Sequence, residues 1–280
     1  MKSISKTPKL RTYLQVTPLG LGSGMRLYYS YFASLLARII IPTKNYHVED
    51  FIPGRSPLTV RVLNTVARIR PPSEDLYVMT AAYEPITNNW FKVEPGNIVL
   101  DVGAHIGHYA LMAAPRARLV IAIEADPSNF SMLKNNIALN RFTNIIPLCI
   151  GVSKKSGKST IYVASKSSGS TSSLEKKWLE NYADARAIEI SCETLDYLTD
   201  SLSLKRVDWL KIDVEGHEVS VLEGAPKTLS GTNHLVIEIS AGNEERCMKL
   251  TRDAGLELAG IGESYGRATN WFFVRRSVRD

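Results

Sequence analysis

Two stretches of this 280-residue chain concentrate side chains able to do chemistry. The octet KIDVEGHE, Lys211 to Glu218, places Asp213, Glu215, His217 and Glu218 within six residues. Carboxylates and an imidazole at that density suit three tasks: holding a metal, moving a proton, or capping the first turn of a helix. The run VLDVGAHIGHYAL (99–111) carries Asp101, Gly103 and Gly107 as D-x-G-x-x-x-G, with His105 inside the pattern and His108 just after it.

Glycine at those two positions lets the backbone bend tightly and come close to a ligand. A helix starting there aims its positive N-terminal end at that ligand. Glu124 closes the next apolar run, 21 residues after Gly103, where an acidic side chain can accept hydrogen bonds from a ribose. The spacing departs from G-x-G-x-x-G, whose backbone N–H groups cradle a pyrophosphate. A dinucleotide and a nucleoside cofactor both remain open. The looser turn with an acid before it suits a cofactor carrying cations, such as the amino group and sulfonium of S-adenosylmethionine.

These residues must be positioned by regular elements, and from about Gly96 the pattern supplies them. NIVLDV (97–102), LVIAIE (119–124), IIPLCI (145–150), VDWLKID (207–213) and LVIEIS (235–240) are short continuous apolar runs alternating with helical segments. That is the signature of a parallel sheet covered on both faces, an open α/β layout with ligands at the carboxyl ends of the strands. LELAGI (256–261) and NWFFVRR (270–276) read as a closing hairpin whose last strand is antiparallel. STIYVA (159–164) and AIEISC (187–192) alternate like hairpin or edge strands around SKSSGSTSS (165–173). That Ser-rich stretch cannot build a core and reads as a flexible loop over 165–185.

At this point the chain resembles a known family. VLDVGAHIGHYALMAA, AIEADPSNFSMLKNNIALN, the GSTSS loop and WLKIDVEGHEVSVLEGA, in that order, are similar to the FkbM-type methyltransferases. The resemblance runs from about Tyr83 to Ser240 and implies a Rossmann-like class I methyltransferase fold, a seven-stranded mostly parallel sheet with an antiparallel last strand. It implies S-adenosylmethionine as methyl donor and a hydroxyl acceptor on a sugar, polyketide or other metabolite. By that resemblance Asp101, Gly103 and Gly107 line the methionine end of the cofactor, and Glu124 grips the ribose. Asp126 and Asn129 lie close to the adenosine, and Gly151 lets its backbone approach the adenine. His105 stands where the family usually has Asn, and His108 where an aromatic is common.

Within such a fold Asp213 ends the fourth strand beside the cofactor strand, facing the methyl group. Methyl transfer is an in-line displacement in which positioning carries much of the catalysis, and a hydroxyl acceptor must also lose a proton. Asp213 is the first candidate for base or orienting group, His217 the second and Glu215 the third. Glu218 reads as first-turn helix chemistry. Asp213 with Glu238 could hold Mg²⁺, as some methyltransferases of this fold do, but no metal is expected, and zinc lacks H-E-x-x-H or a nearby cysteine. Ser170 to Ser173 are candidate acceptor contacts on a lid.

The first 80 residues form a basic extension expected to be helical, ahead of a cofactor-binding domain over 81–280. Residues 1–72 hold eleven Lys and Arg against Glu49 and Asp50, a net +9 in a chain of +6, which points to an anionic partner such as RNA or a membrane surface. MRLYYSYFASLLARIII (25–41) is short of a spanning helix and contains Arg26 and Arg38. A helix buried on the main domain, an interfacial helix and an anchor all stay open for it. Cys149, Cys192 and Cys247 have neither metal nor redox spacing, which fits a cytoplasmic protein, peripheral to a membrane if the basic segment binds one. The expected function is transfer of a methyl group to a small-molecule or glycan hydroxyl. The competing readings are an RNA methyltransferase, an NAD-linked oxidoreductase, which the glycine spacing disfavours, and a binding protein without turnover.

Overall fold

The computed structural model describes Tyr13 and residues 15–40, 48–71, 73–164, 172–179 and 185–276. The chain begins with β1 (Val16–Pro18) and the long helix α1 (Leu21–Ile40), followed by the hairpin β2 (Leu58–Val62) and β3 (Thr65–Ile69). β1, β2 and β3 pair antiparallel in that order. The basic extension is thus helix plus sheet, where helix alone was expected. In LTVRV the residues Leu58, Val60 and Val62 are buried and Arg61 is exposed, the alternation of a strand with one wet face. Lys2, Lys6, Lys9, Arg11 and Lys44 lie outside the described residues.

Two short helices, α2 (Asp75–Val78) and α3 (Pro85–Trp90), lead into alternating strands and helices. These are β4 (Ile98–Val102), α4 (His108–Ala113), β5 (Leu119–Ile123), α5 (Pro127–Asn140) and β6 (Ile145–Leu148). A small sheet follows, made of β7 (Gly151–Val152), β8 (Gly157–Val163), β9 (Ser172–Ser173) and β10 (Arg186–Glu193) in the order β7-β10-β8-β9. The antiparallel pairing of β8 with β10 is the hairpin that the alternating sequence called for. Much of the Ser-rich stretch, 165–171 and 180–184, with Ser170 and Thr171, is outside the described residues.

The chain then returns to the main sheet through α6 (Leu195–Ser201), β11 (Val207–Ile212), α7 (Glu218–Glu223), α8 (Pro226–Ser230), β12 (Thr232–Ser240), α9 (Glu244–Asp253), β13 (Leu256–Tyr265) and β14 (Ala268–Arg275). The seven strands are ordered β13-β14-β12-β11-β4-β5-β6. Every pairing from β12 to β6 is parallel, and β14 runs antiparallel to both neighbours. The expected mostly parallel sheet with a reversed last strand is therefore present. β4 and β11 are buried at every position, as strands covered on both faces must be. Alternate residues feed two cores: Ile98, Leu100 and Val102 go to one, and Val99 with Trp209 to the other.

The second of these cores continues into the N-terminal segment, joining Leu27, Leu58 and Val60 to Val99 and Trp209. The edge of β3 is held by side chains in place of a neighbouring strand. Arg68 N–H donates to Asn136 Oδ1 at 2.7 Å, and Val66 N–H donates to Asn140 Oδ1 at 2.8 Å. Asn136 and Asn140 sit one turn apart on α5, so both amides face the same way.

α1 departs from the reading of a buried helix. It buries Leu27, Ser30 and Ser34, while Met25, Phe32 and Ile39 are exposed. Among the described residues no helix is long and apolar enough to cross a membrane.

Candidate active site

β4 and β11 lie side by side where the chain order reverses, β5 and β6 extending one way and β12 the other. Open α/β sheets form their ligand crevice at such a switch point, outside the carboxyl ends of the strands. A cleft of about 430 Å³ opens there, and Asp101, Gly103, His105, Glu124, Asn129, Asp213 and Glu215 all line it.

Gly103 adopts φ +84°, and a Cβ on it would lie 1.7 Å from the backbone oxygen of Asp213. The ends of β4 and β11 therefore touch through backbone alone, with Asp213 N–H donating to Val102 O at 2.9 Å. Gly107, φ +107°, would press a Cβ onto Leu133 at 2.9 Å, so it serves helix packing behind the turn. A Gly103→Ala variant should lose about 1–3 kcal/mol from overpacking and strain. Urea unfolding and cofactor titration should both register the change.

Asp101 and Glu124 end adjacent strands, both buried. Asp101 Oδ2 has no hydrogen-bond partner, an unmatched acceptor that fits a ligand ammonium. Glu124 Oε1 accepts from Asp126 N–H at 2.8 Å, and its Oε2 accepts from His105 N–H at 2.7 Å, which fixes the carboxylate at the cleft wall. Burial pushes each acid up to about 7, against Lys211 at Asp101 and the backbone donors at Glu124. A cationic cofactor favours the ionised forms, so its affinity should rise as pH passes upward through about 7 and weaken below. Calorimetric titration at pH 6 and pH 8 measures this. His105 is held at φ +52°. Its Nε2 is buried without a hydrogen-bond partner, and burial lowers its pKa. A neutral ring thus takes the place of the family's usual Asn at the cleft.

Of the other predicted contacts, one lines the cleft and two do not. Asn129 lines the cleft, with its Oδ1 accepting from Arg70 Nη2 at 2.9 Å. Asp126 caps α5 by accepting from Ser128 N–H, and it supports the wall instead of lining it. Gly151 is a glycine because a Cβ would strike Cys192 Sγ at 2.5 Å. Its neighbours Ile150 and Val152 line the cleft in its stead.

The octet separates into four tasks. Asp213 faces the cleft. Glu215, at φ +49°, accepts at its backbone oxygen from Ser173 Oγ at 2.6 Å, which joins β9 to the turn. Glu218 closes the turn as expected, accepting from Gly216 N–H and Ser240 Oγ, each at 2.7 Å. His217 is not among the residues lining the cleft: its Nδ1 meets Glu175 Oε1 at 2.8 Å and its Nε2 meets Ser153 Oγ at 3.0 Å. These contacts tie the ring to the segment after β9 and to Ser153.

The sequence reading omitted Lys211 and Glu84. Lys211 is fully buried, opposite Asp101 in the β4–β11 register, with Nζ 3.2 Å from Asp213 Oδ2. Burial works against its charge, but Asp213, Glu84 and Glu238 outweigh it and raise its pKa. At Asp213 burial is likewise overcome, here by Lys211, and the carboxylate titrates below its ordinary value. Burial and the Asp213 charge push Glu238, its hydrogen-bond partner, well above the ordinary range. Glu84 is also raised by burial, and the Tyr109 hydroxyl donates to it. Lys211 is thus kept as the ammonium and Asp213 as the carboxylate, while Glu238 and Glu84 are harder to ionise than ordinary carboxyls. Among the described residues no group of His, Cys, Asp and Glu could hold a metal ion.

A methyltransferase FkbM domain matches residues 101–272, more than half of the chain. The chain belongs to the FkbM methyltransferase family. The chain is 29% identical over 166 residues to the hexuronic acid methyltransferase AglP of Haloferax volcanii. The match covers 59% of this chain and 65% of that protein, just under two thirds of its length. A shorter match, 28% over 123 residues, reaches the 23S rRNA (uracil(1939)-C(5))-methyltransferase RlmD of Shewanella amazonensis, covering 41% of this chain and 27% of that one. Among solved structures, the methyltransferase FkbM of Methylobacillus flagellatus superposes with a TM-score of 0.45 at 18% identity, over 65% of this chain and 44% of that one.

Residues both outside and inside the matched region complete the cleft. Tyr83 lines it and stacks on Tyr265 with ring centroids 6.5 Å apart and planes 6° apart. Trp178, which a Cβ on Gly216 would touch at 3.0 Å, and Arg267, whose guanidinium lies 5.4 Å from the Trp178 ring, line it too.

Proposed function

We propose that this chain transfers a methyl group from S-adenosylmethionine to a hydroxyl of a sugar-like, negatively charged acceptor. The observation that carries the reading is Asp213, a carboxylate kept ionised by Lys211 inside the cleft, against the glycine turn. When bound, the cofactor supplies an electrophilic methyl group on a sulfonium. Asp101, with its unmatched oxygen, would take the cofactor ammonium, and Glu124 the ribose hydroxyls. The His105 ring would contribute one further hydrogen bond.

Asp213 would accept a hydrogen bond from the acceptor hydroxyl and receive its proton as the oxygen is methylated. A carboxylate acceptor has no proton to lose and would be repelled by Asp213, which favours a hydroxyl as the reacting group. Burial makes Glu238 and Glu84 harder to ionise, which limits the negative charge beside Asp213. Tyr83, Tyr265 and Trp178 offer ring faces for the C–H side of a sugar, and Arg267 offers a cation for an acidic substituent. The name of the Haloferax relative, a hexuronic acid methyltransferase, agrees with that charge.

The test is incubation with labelled S-adenosylmethionine and matched glycosides, one a uronic acid and one neutral, with the product read by NMR. An O-methyl ether formed faster on the uronic acid is expected. A methyl ester, or label passing only into RNA, would overturn the acceptor assignment.

A further inference from the structure

We infer that the outer face of α1 is a docking surface for an anionic lipid membrane, on which the helix lies parallel to the bilayer plane. Leu21, Met25, Tyr28, Phe32, Leu36 and Ile39 recur every three or four residues and so form one stripe along the helix. All six are exposed, Leu21 at 89%, Phe32 at 63% and Ile39 at 75%.

The opposite face is the more polar one, and it points inward. Ser30 and Ser34 are fully buried there, and Ser30 Oγ donates to Val48 O. A helix that only served the core would bury its apolar stripe. This one has the reverse orientation and is firmly held in it. Arg26 donates to Pro53 O through Nε at 2.6 Å and to Ser56 O through Nη1 at 2.8 Å, and Leu27 joins the main core. Over 20 residues the stripe is about 30 Å long, a continuous apolar surface of the kind that marks an interaction site.

The chemistry of the partner follows from charge. The segment that carries α1 has a net +9. A second copy docking here would bring two such segments together, whereas an anionic bilayer meets both the charge and the apolar stripe. Lipid-facing aromatic and aliphatic residues with nearby basic ones are the composition of helices that lie in a membrane interface. The helix is not apolar enough to cross.

The experiment is flotation of the full chain with vesicles of phosphatidylcholine alone, or with about a third phosphatidylglycerol, for the wild type and the triple variant M25S/F32S/I39S. The wild type is expected to bind the anionic vesicles, to bind neutral ones less, and to lose part of its affinity in high salt. The triple variant should lose at least about tenfold in partitioning with an unchanged thermal midpoint, since its three sites face outward. No vesicle binding by the wild type, or equal binding by the variant, would overturn the inference. So would a dimer in light scattering that the triple variant dissolves without any vesicle binding, which would make a second copy the occupant. A large drop in thermal midpoint for the variant without vesicle binding would show that another part of this chain covers the face. RNA binding that the variant leaves intact, again without vesicle binding, would assign the basic charge to nucleic acid.

Discussion

Asp213→Asn should lower kcat for methyl transfer by about 10²–10⁴-fold while leaving the affinity for S-adenosylmethionine nearly unchanged. Asparagine keeps the shape of the side chain, and the backbone oxygen that packs against Gly103 is untouched. What disappears is the negative acceptor for the hydroxyl proton. The control is Glu238→Gln. Because burial and the Asp213 charge push Glu238 well above the ordinary range, a neutral amide should be a closer substitute there than at Asp213, and its cost should be smaller. Steady-state kinetics on both variants separates the two carboxyls. Equal losses would mean that the cluster acts only as scaffold, and a D213N enzyme with wild-type kcat would remove Asp213 from the chemistry.

Lys211→Met should be the most damaging change to stability. Removing one partner of a buried ion pair costs about 3–5 kcal/mol, because the charge left behind has no compensation. In the wild type the Asp213 pKa is lowered on folding. Its contribution is therefore present above the unfolded carboxylate value and is lost as pH falls through the folded value. The Lys211 pKa is raised, so its contribution is present below the unfolded lysine value and is lost as pH rises through the folded value. Between those limits the pair is fully effective. Without Lys211, burial raises Asp213 instead, and the variant then loses stability as pH rises through that new value. The stability gap between wild type and K211M should thus be widest near neutrality and narrow toward acid pH. Urea unfolding across the range measures it, and a gap independent of pH would contradict the ion-pair account. The acid limb of the rate profile should also move upward in K211M, since Asp213 must be ionised to act.

The sheet was legible because its central strands are buried on both faces and so appear as unbroken apolar runs: IVLDV and VDWLKI have no exposed position. The β8–β10 hairpin was legible from its alternation. β2 and β3 were not, because five-residue strands interrupted by Arg61 and Arg68 give too short a pattern. The places of Asp101, Gly103, His105 and Glu124 on the cleft wall were legible because each is tied to a strand end or a tight turn. The direction of the His217 ring was not legible, because residue spacing within a turn does not fix it, whereas Glu175 and Ser153 do.

Lys211 left a signal that went unused. A lysine two residues before Asp213, inside an apolar strand, must share its face of the sheet, and a buried lysine calls for a carboxylate. Glu84 left none, since it reaches the cluster only through the path of the chain before β4. The outward stripe of α1 was visible as an apolar period, but which side faced the protein was decided by Ser30 and Arg26.

Calorimetric titration of the full chain with S-adenosylmethionine and, separately, with NAD decides which cofactor the cleft takes. A saturable heat with S-adenosylmethionine, weakened by Gly103→Ala, and none with NAD is the expected result. Binding of NAD without binding of S-adenosylmethionine would mean that the cleft does not hold a methyl donor.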